Sequence, residues 1–591
     1  MTGSHVKQRI TDHGSRITPA SAASLVFLAL FFGLFLFYPL GYMFKAAFWP
    51  AGGFTLEFFR LFFSSPFQLE CLANSFILGI VITALTTLIT LPVAHWFSRY
   101  SFPGKTLLSG LLLVPMIMPP FVGAIGVKQV FARFGSLNLL LDKLGLVPIE
   151  NGIDWLGAGG FWGVVILGVL HVYPIMFLNV TAAMANVDPT LREAAENLGA
   201  GGWRLFRTIT LPLVMPGYFA GAIIVFIFAF TDLGTPLLIG YNRVVAVQIY
   251  DKVVEVGTNP FAFTLVILVL LLTFVLFLVS KWITGEKSYQ MMARGHTAGA
   301  ETPAPPRLRW LIYGGTIGLI IVSLLPHASV VVQSFASHWF MSILPDQMTT
   351  QFYGEVFRHP LTLSSIRNSL FFSSLSAFLD LGLGVMIAWL ITRRRVPCAS
   401  LLDAIAMLPL ALPGIVLAFG YVAAFNIPMN PKSLPPAWYQ WLHDFIDPSA
   451  NPTFLLIISY SVRRLPYIVR AAVAGLQQTS VTLEEASLNL GASPLRTMRK
   501  ITLPLVMANL IAGTILTFSF AMLEVSDSLI LAMKEAYFPI TKGIYQLIGR
   551  VDPNAPSVAC ALGVLGMALL AASLLIASKT LGKRMGQLFR A

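Results

Sequence analysis

Residues 191–215 read LREAAENLGAGGWRLFRTITLPLVM, and residues 483–507 read LEEASLNLGASPLRTMRKITLPLVM. Sixteen of these 25 positions are identical at a constant offset of 292. The shared residues include Glu, Asn, Gly, Arg and Pro, which chance similarity between apolar runs does not supply. The chain therefore carries a direct duplication. Further anchors extend it: Asn74 and Ser75 match Asn368 and Ser369, and Pro115 and Pro119 match Pro409 and Pro413, all at an offset of 294.

What surrounds the repeat decides the fold class. Of 591 residues, 56% are hydrophobic and 11% are charged, and the mean hydropathy is +0.77. A soluble surface needs roughly 25% charged residues, and a disordered chain is still more polar. Both classes are excluded, which leaves a polytopic membrane protein. Crossing the hydrocarbon core takes about 20 mostly apolar residues as a helix. Such segments are predicted near 22–45, 73–97, 107–130, 159–183, 213–240 and 261–282, then near 310–335, 368–392, 401–425, 453–475, 505–531 and 556–578. The segment near 453–475 is the least apolar, because Arg463, Arg464 and Arg470 interrupt it.

Between the two sets, residues 284–308 exchange apolar runs for Pro, Gly, Ala and charge, which reads as a linker. The expected architecture is all-α: two tandem six-helix units at 1–283 and 309–591, joined through 284–308. Six crossings per unit return the chain to the same side, so the repeat is parallel. The polar, basic N-terminal stretch and long first apolar run read as an uncleaved first span.

Lys and Arg mark the cytoplasmic side of short loops. With both termini inside, the inner segments hold 23 of them, the outer loops 13, and the arginine-bearing segment the other three. The net charge of +13 is thus a topology signal, and nucleic acid is not an expected partner. Cys71, Cys398 and Cys560 stand singly in or beside apolar stretches, with neither disulfide nor zinc spacing.

The repeated segment lies between the fourth and fifth spans of each unit, on the cytoplasmic side. Ala, Leu and Glu favour a short helix, and Gly199 and Gly491 offer a stop. A second helical start leads into Leu211-Pro212 and Leu503-Pro504. Each copy is therefore a projection able to dock into a partner. The pattern Glu193, Ala194, Ala195, Gly199, Ile209, Leu211, Pro212 resembles the EAA loop of permease subunits in bacterial ABC importers. Glu485, Ala486, Gly491, Ile501, Leu503 and Pro504 repeat it, with Ser487 in place of the second alanine. The double-length arrangement, LPLALPGIVLAFG at 408–420 and the stretch preceding the second loop resemble ferric-iron importers. Thiamine and aminoalkylphosphonate importers also use fused permeases.

The resemblance implies a multi-pass protein of the bacterial inner membrane. It implies two copies of a cytoplasmic ABC ATPase on the two loops, and a periplasmic substrate-binding protein on the outer face. ATP and Mg would be used by the ATPase, with no cofactor on this chain. The chain itself is not expected to be an enzyme: it has no GxxxxGK[ST] loop, since the nearest string, ending at Lys105-Thr106, has Arg99 where the first glycine belongs. HExxH and nucleophile-elbow motifs are missing too.

Acids inside apolar spans are costly and mark candidate functional sites. Asp232 aligns with Glu524 at offset 292, and Asp527 follows close by. Facing a shared cavity, these carboxylates would suit a cationic substrate. Arg463 and Arg464 would either neutralise them or attract an anion, and Arg470 reads as snorkelling to the cytoplasm. Asp380, which aligns with Thr86, reads as a packing or boundary residue, and His171 as a hydrogen-bonding one. A rival class is an ion-coupled twelve-helix secondary transporter, against which the duplicated loop argues: such a carrier has no ATPase to couple to.

Overall fold

The structure is a computed structural model that describes residues 19–581 apart from 51, 118, 186, 285–300, 395 and 427–436. The terminal basic residues Lys7, Arg9, Arg16, Lys583, Arg584 and Arg590, and most of the expected linker, lie outside the described residues.

A backbone in lipid must satisfy its own polar groups, so long apolar runs close into helices. Among the described residues, nine helices are long and apolar enough to cross a membrane. Four stand in the first half beside a bent pair, at Ser21–Phe48, Pro66–Arg99, Phe161–Ala185 and Gly202–Thr231, followed by Phe261–Val279. The second half supplies Pro306–Phe335, Pro360–Arg394, Pro494–Met522 and Ala555–Ile576. The arginine-bearing segment is also one long helix, Thr453–Gln478, almost wholly buried along its apolar positions.

Four expectations of straight spans need correction. The third segment of each half is an elbow. Lys105–Met116 and Pro120–Lys143 meet at 90°, and Ala399–Leu410 and Gly414–Ala424 meet at 98°. Pro119-Pro120 and Pro413-Gly414 stand at the corners. Proline lacks the amide a continuous helix needs and its ring collides with the preceding turn. The segments expected at 213–240 and 505–531 are broken as well. The helices stop at Thr231 and Met522 and restart as Gly234–Ile239 and Ser526–Leu531.

The breaks are held by side chains. Asp232 leaves the helix at φ −63°, ψ 124°, and its Oδ1 accepts the N–H groups of Gly234 at 3.1 Å and Thr235 at 3.4 Å. At the second break the Glu524 carbonyl accepts from the hydroxyls of Ser528 at 2.6 Å and Thr541 at 2.9 Å. The backbone groups released by stopping a helix are thereby paired again.

The anchors at offset 294 have a shared structural task. Asn74 donates to the Arg243 carbonyl at 3.0 Å and Ser75 accepts from the Val245 N–H at 2.9 Å. Asn368 donates to the Ala536 carbonyl at 2.8 Å and Ser369 accepts from the Ile540 N–H at 2.7 Å. Each pair pins the start of a short helix, Val245–Asp251 or Ile540–Ile548, against the second long helix of its half.

The halves exchange contacts. Pro120–Phe131 packs on Pro306–Phe335 of the other half, and Gly414–Ala424 packs on Tyr38–Phe48. The approach is close: a methyl on Gly126 would overlap the Pro326 carbonyl oxygen. Tyr421 donates to the Phe35 carbonyl at 2.7 Å. The described end of the expected linker also returns to the first half, since Thr302–Pro303 pairs in parallel with Tyr100–Ser101 and Glu301 meets Lys105 at 2.7 Å.

Candidate coupling projections and transport path

In the first half the Asp188 carboxylate accepts from the Thr190 N–H at 2.9 Å and hydroxyl at 2.8 Å, capping the helix Pro189–Asn197. These bonds hold the Asp188 carboxyl below its usual range. Gly199 then takes φ +82°, and the Ala200 N–H closes back on the Ala195 carbonyl at 2.9 Å. A side chain in this left-handed region would be strained, so glycine is the natural stop. A short helical turn, Gly202–Leu205, and a π turn, Phe206–Thr210, lead into the helix beginning at Leu211.

The second half repeats this piece by piece. Ser480 caps Val481–Asn489, Gly491 has φ +84°, and the Ala492 N–H returns to the Ser487 carbonyl at 3.1 Å. Pro494–Thr497 follows, and the π turn falls at Met498–Thr502, the same positions at offset 292. Glu193, Ala194, Gly199, Glu485, Ala486 and Gly491 are exposed, while Ala195 is buried. Ile209 and Ile501 are half-buried and Pro212 and Pro504 exposed. Ser487 hydrogen-bonds Thr497 at 2.9 Å, tying helix to turn where the first copy has only Ala195.

Two features escaped the motif reading. The first is an anchor: Arg99 reaches Glu196 at 3.2 Å, and its mate Arg393 reaches Glu484 at 2.9 Å and also donates to the Leu476 and Thr479 carbonyls. The second is an exposed apolar face. Leu198 and Leu490 are 88% and 89% exposed, and Trp203 and Leu495 are 71% and 75% exposed. Both pairs are related by offset 292, so the signal was present in the repeat. Large apolar side chains left this bare in matched places mark a surface built to be covered.

At the far ends of the helices that leave the projections, Leu211–Thr231 and Leu503–Met522, the two breaks meet. A methyl on Gly234 would come within 2.9 Å of Val525 and 3.1 Å of Phe121. Gly234 thus lets the first break seat against the second and against the first elbow. Around the second break lies an ion cluster. Both Arg463 and Arg464 donate to the Glu524 carboxylate. Arg463 also stands 3.5 Å from Asp527, which accepts from the Ser459 hydroxyl at 2.8 Å. Asp380 accepts from the Ser461 hydroxyl. Glu524, Asp527 and Asp380 are buried, so each charge depends on its neighbours for solvation.

The structure therefore brings Glu524, Asp527, Arg463 and Arg464 together and leaves Asp232 in a separate role as the cap of its own break. Arg470 is half-exposed and meets Asp403 at 3.2 Å. His171 hydrogen-bonds the Pro115 carbonyl at 3.3 Å. Among the described residues no three His, Cys, Asp or Glu side chains gather as a metal site.

Comparison with known proteins places this architecture. Residues 87–285 and 381–587 both match the family described as binding-protein-dependent transport system inner membrane component. The chain belongs to this family. It is a double-length ABC importer permease, multi-pass in the inner membrane. It is 28% identical over 513 residues to a putative ferric transport system permease of Haemophilus influenzae, covering 85% of this chain and 77% of that one. A ferric transport system permease of Actinobacillus pleuropneumoniae is 26% identical over 572 residues, covering 95% and 78%. A molybdenum transport system permease of Escherichia coli is 30% identical over 220 residues, covering 35% of this chain and 91% of its own.

Proposed function

We propose that this permease carries ferric iron inward, through a central path flanked by its two units. The observation that carries the substrate is the extent of similarity to the two ferric permeases, which runs through both units. The residues of the path are the two breaks and the ion cluster: Asp232, Glu524, Asp527, Arg463 and Arg464. Glu524 is already neutralised by two arginines, so the cluster does not act as a tight ferric site. It shapes a conduit that releases what it passes.

In the same reading twelve crossings leave both termini in the cytoplasm, with units at 1–283 and 309–591. Two ATPase copies seat on the projections at 188–207 and 480–499, against Leu198 and Trp203 in one and Leu490 and Leu495 in the other. A periplasmic binding protein delivers substrate to the opposite face. Closure of the ATPases draws the projections together, and the rigid helices beyond Leu211 and Leu503 carry that movement to the breaks.

Uptake of radiolabelled ferric iron by proteoliposomes holding the permease, its ATPase and its binding protein tests the substrate. ATP-dependent uptake of iron in preference to thiamine, aminoalkylphosphonate or molybdate is expected. Uptake of one of those instead would overturn the assignment. Gly199→Asp with Gly491→Asp is expected to abolish uptake and co-purification of the ATPase. An ion-coupled carrier would keep transporting.

A further inference from the structure

A lysine of the second unit is buried across the boundary between the units. Lys542 lies on the helix Ile540–Ile548 and is 8% exposed. Its Nζ donates to the Leu529 carbonyl at 2.8 Å and to the Tyr250 hydroxyl at 3.3 Å. Three ring centres surround the ammonium, Tyr250 at 5.6 Å, Phe538 at 5.7 Å and Tyr545 at 5.8 Å. Among the described residues no carboxylate pairs with it. The aromatic faces and one carbonyl replace water around the cation.

The position of this cage follows from the repeat. Val245 and Ile540 are equivalent, because Ser75 and Ser369 pin their amides. The same offset of 295 makes Tyr250 the mate of Tyr545, and the two rings meet edge to face at 6.4 Å. Equivalent residues of two symmetric units touch only near the axis relating them. The cage therefore lies near the axis relating the units, against the restart Ser526–Leu531, at the end of the helix Leu503–Met522 away from the coupling projection. The position equivalent to Lys542 in the first unit is Val247, so a single lysine fills a place shared by both units.

We propose that Lys542, caged by Tyr250 and Tyr545, is the gate that shuts the path at the face opposite the ATPases. Opening that face separates Tyr250 from Tyr545 and strips the ammonium of its ring contacts. The cage makes the closed state the resting one. This inference rests on the importer reading given above, in which closure of the ATPases opens that face.

The assembled importer tests it, with ATP hydrolysis measured in the absence of binding protein. Gate opening and ATPase closure are linked, so weakening the gate favours the closed ATPase. Lys542→Ala is expected to raise this hydrolysis roughly tenfold, the order of a desolvated cation–π contact. Added n-butylammonium should refill the cage and restore the low rate, whereas n-butanol should not. Lys542→Arg should keep it low. Lys542→Ala hydrolysis at the wild-type rate, or equal rescue by n-butanol, would overturn the gate. Failure of binding protein to stimulate the wild-type complex would count against the importer reading instead. If Lys542→Ala does not assemble, a disulfide between Tyr250→Cys and Tyr545→Cys carries the test. Its formation should stop transport and its reduction restore it, and undiminished transport through the bridged protein would refute the proposal.

Discussion

The two units build the same frame around different chemistry. At offset 292, Ser459, Ser461, Arg463, Arg464 and Asp527 of the second unit correspond to Leu167, Val169, His171, Val172 and Thr235 of the first. Asp380 corresponds to Thr86. Elbow, break, anchor and projection occur in both units, but among the described residues the buried ion cluster occurs in one. Repetition preserves the two projections and the two breaks, which meet at Gly234 and Val525. The centre does not need it, because one set of charges suffices to fix a junction.

The sharpest way to break this comparison is to treat mates alike. Glu524→Ala leaves Arg463 and Arg464 buried without their shared acceptor, and should cost about 3–5 kcal/mol. Its mate Asp232→Ala removes only a cap, worth about 1 kcal/mol. Thermal unfolding of the purified permease should rank the two in that order, and equal losses would show the cluster to be energetically idle.

A second contrast concerns Gly234, where an added methyl would meet Val525, against Gly199, where it would meet open space. Gly234→Val should force the breaks apart and destabilise by about 1–3 kcal/mol as overpacking. Gly199→Ala and Gly491→Ala should each cost about 1 kcal/mol through strain alone, with equal losses of ATPase co-purification. Unequal losses would mean that the two docking faces are not equivalent.

The smallest effect distinguishes the two caps. Asp188 has its folded pKa depressed below 3.8 by Thr190, so its stabilisation is present above that value and fades as pH falls through the folded pKa. Ser480 does not ionise there. The protection of the amides in Pro189–Asn197, with the intrinsic pH dependence of exchange divided out, should therefore fall in acid, and Asp188→Ser, which gives this helix the cap of the second, should abolish that part of the fall. Identical acid responses would remove the distinction.

Much of the frame was legible in the sequence because it depends on local composition. Apolar length located the long helices, and the 25-residue repeat placed both projections with their glycine stops. Direction was not legible. FAFTDLGTPLLIG at 228–240 and LPLALPGIVLAFG at 408–420 are nearly as apolar as straight spans, and hydropathy records how long a segment is rather than where it turns. The pairing of Arg463 and Arg464 with Glu524 spans about 60 residues of chain and depends on how helices pack. Lys542 reads from the sequence as one of the 13 outer-loop cations, since only the meeting of Tyr250 and Tyr545 shows that its place is interior.

The exchange of elbows separates covalent order from physical neighbourhood. Each unit lays its bent third segment on the other's first helix, as Gly126 against Pro326 and Tyr421 against Phe35 show. A protease cut within 285–300 should therefore yield two fragments that migrate as one particle. Either fragment produced alone would expose the bed its counterpart normally occupies. Cohesion between the units thus rests on the interlock of their helices and not on the peptide connection alone.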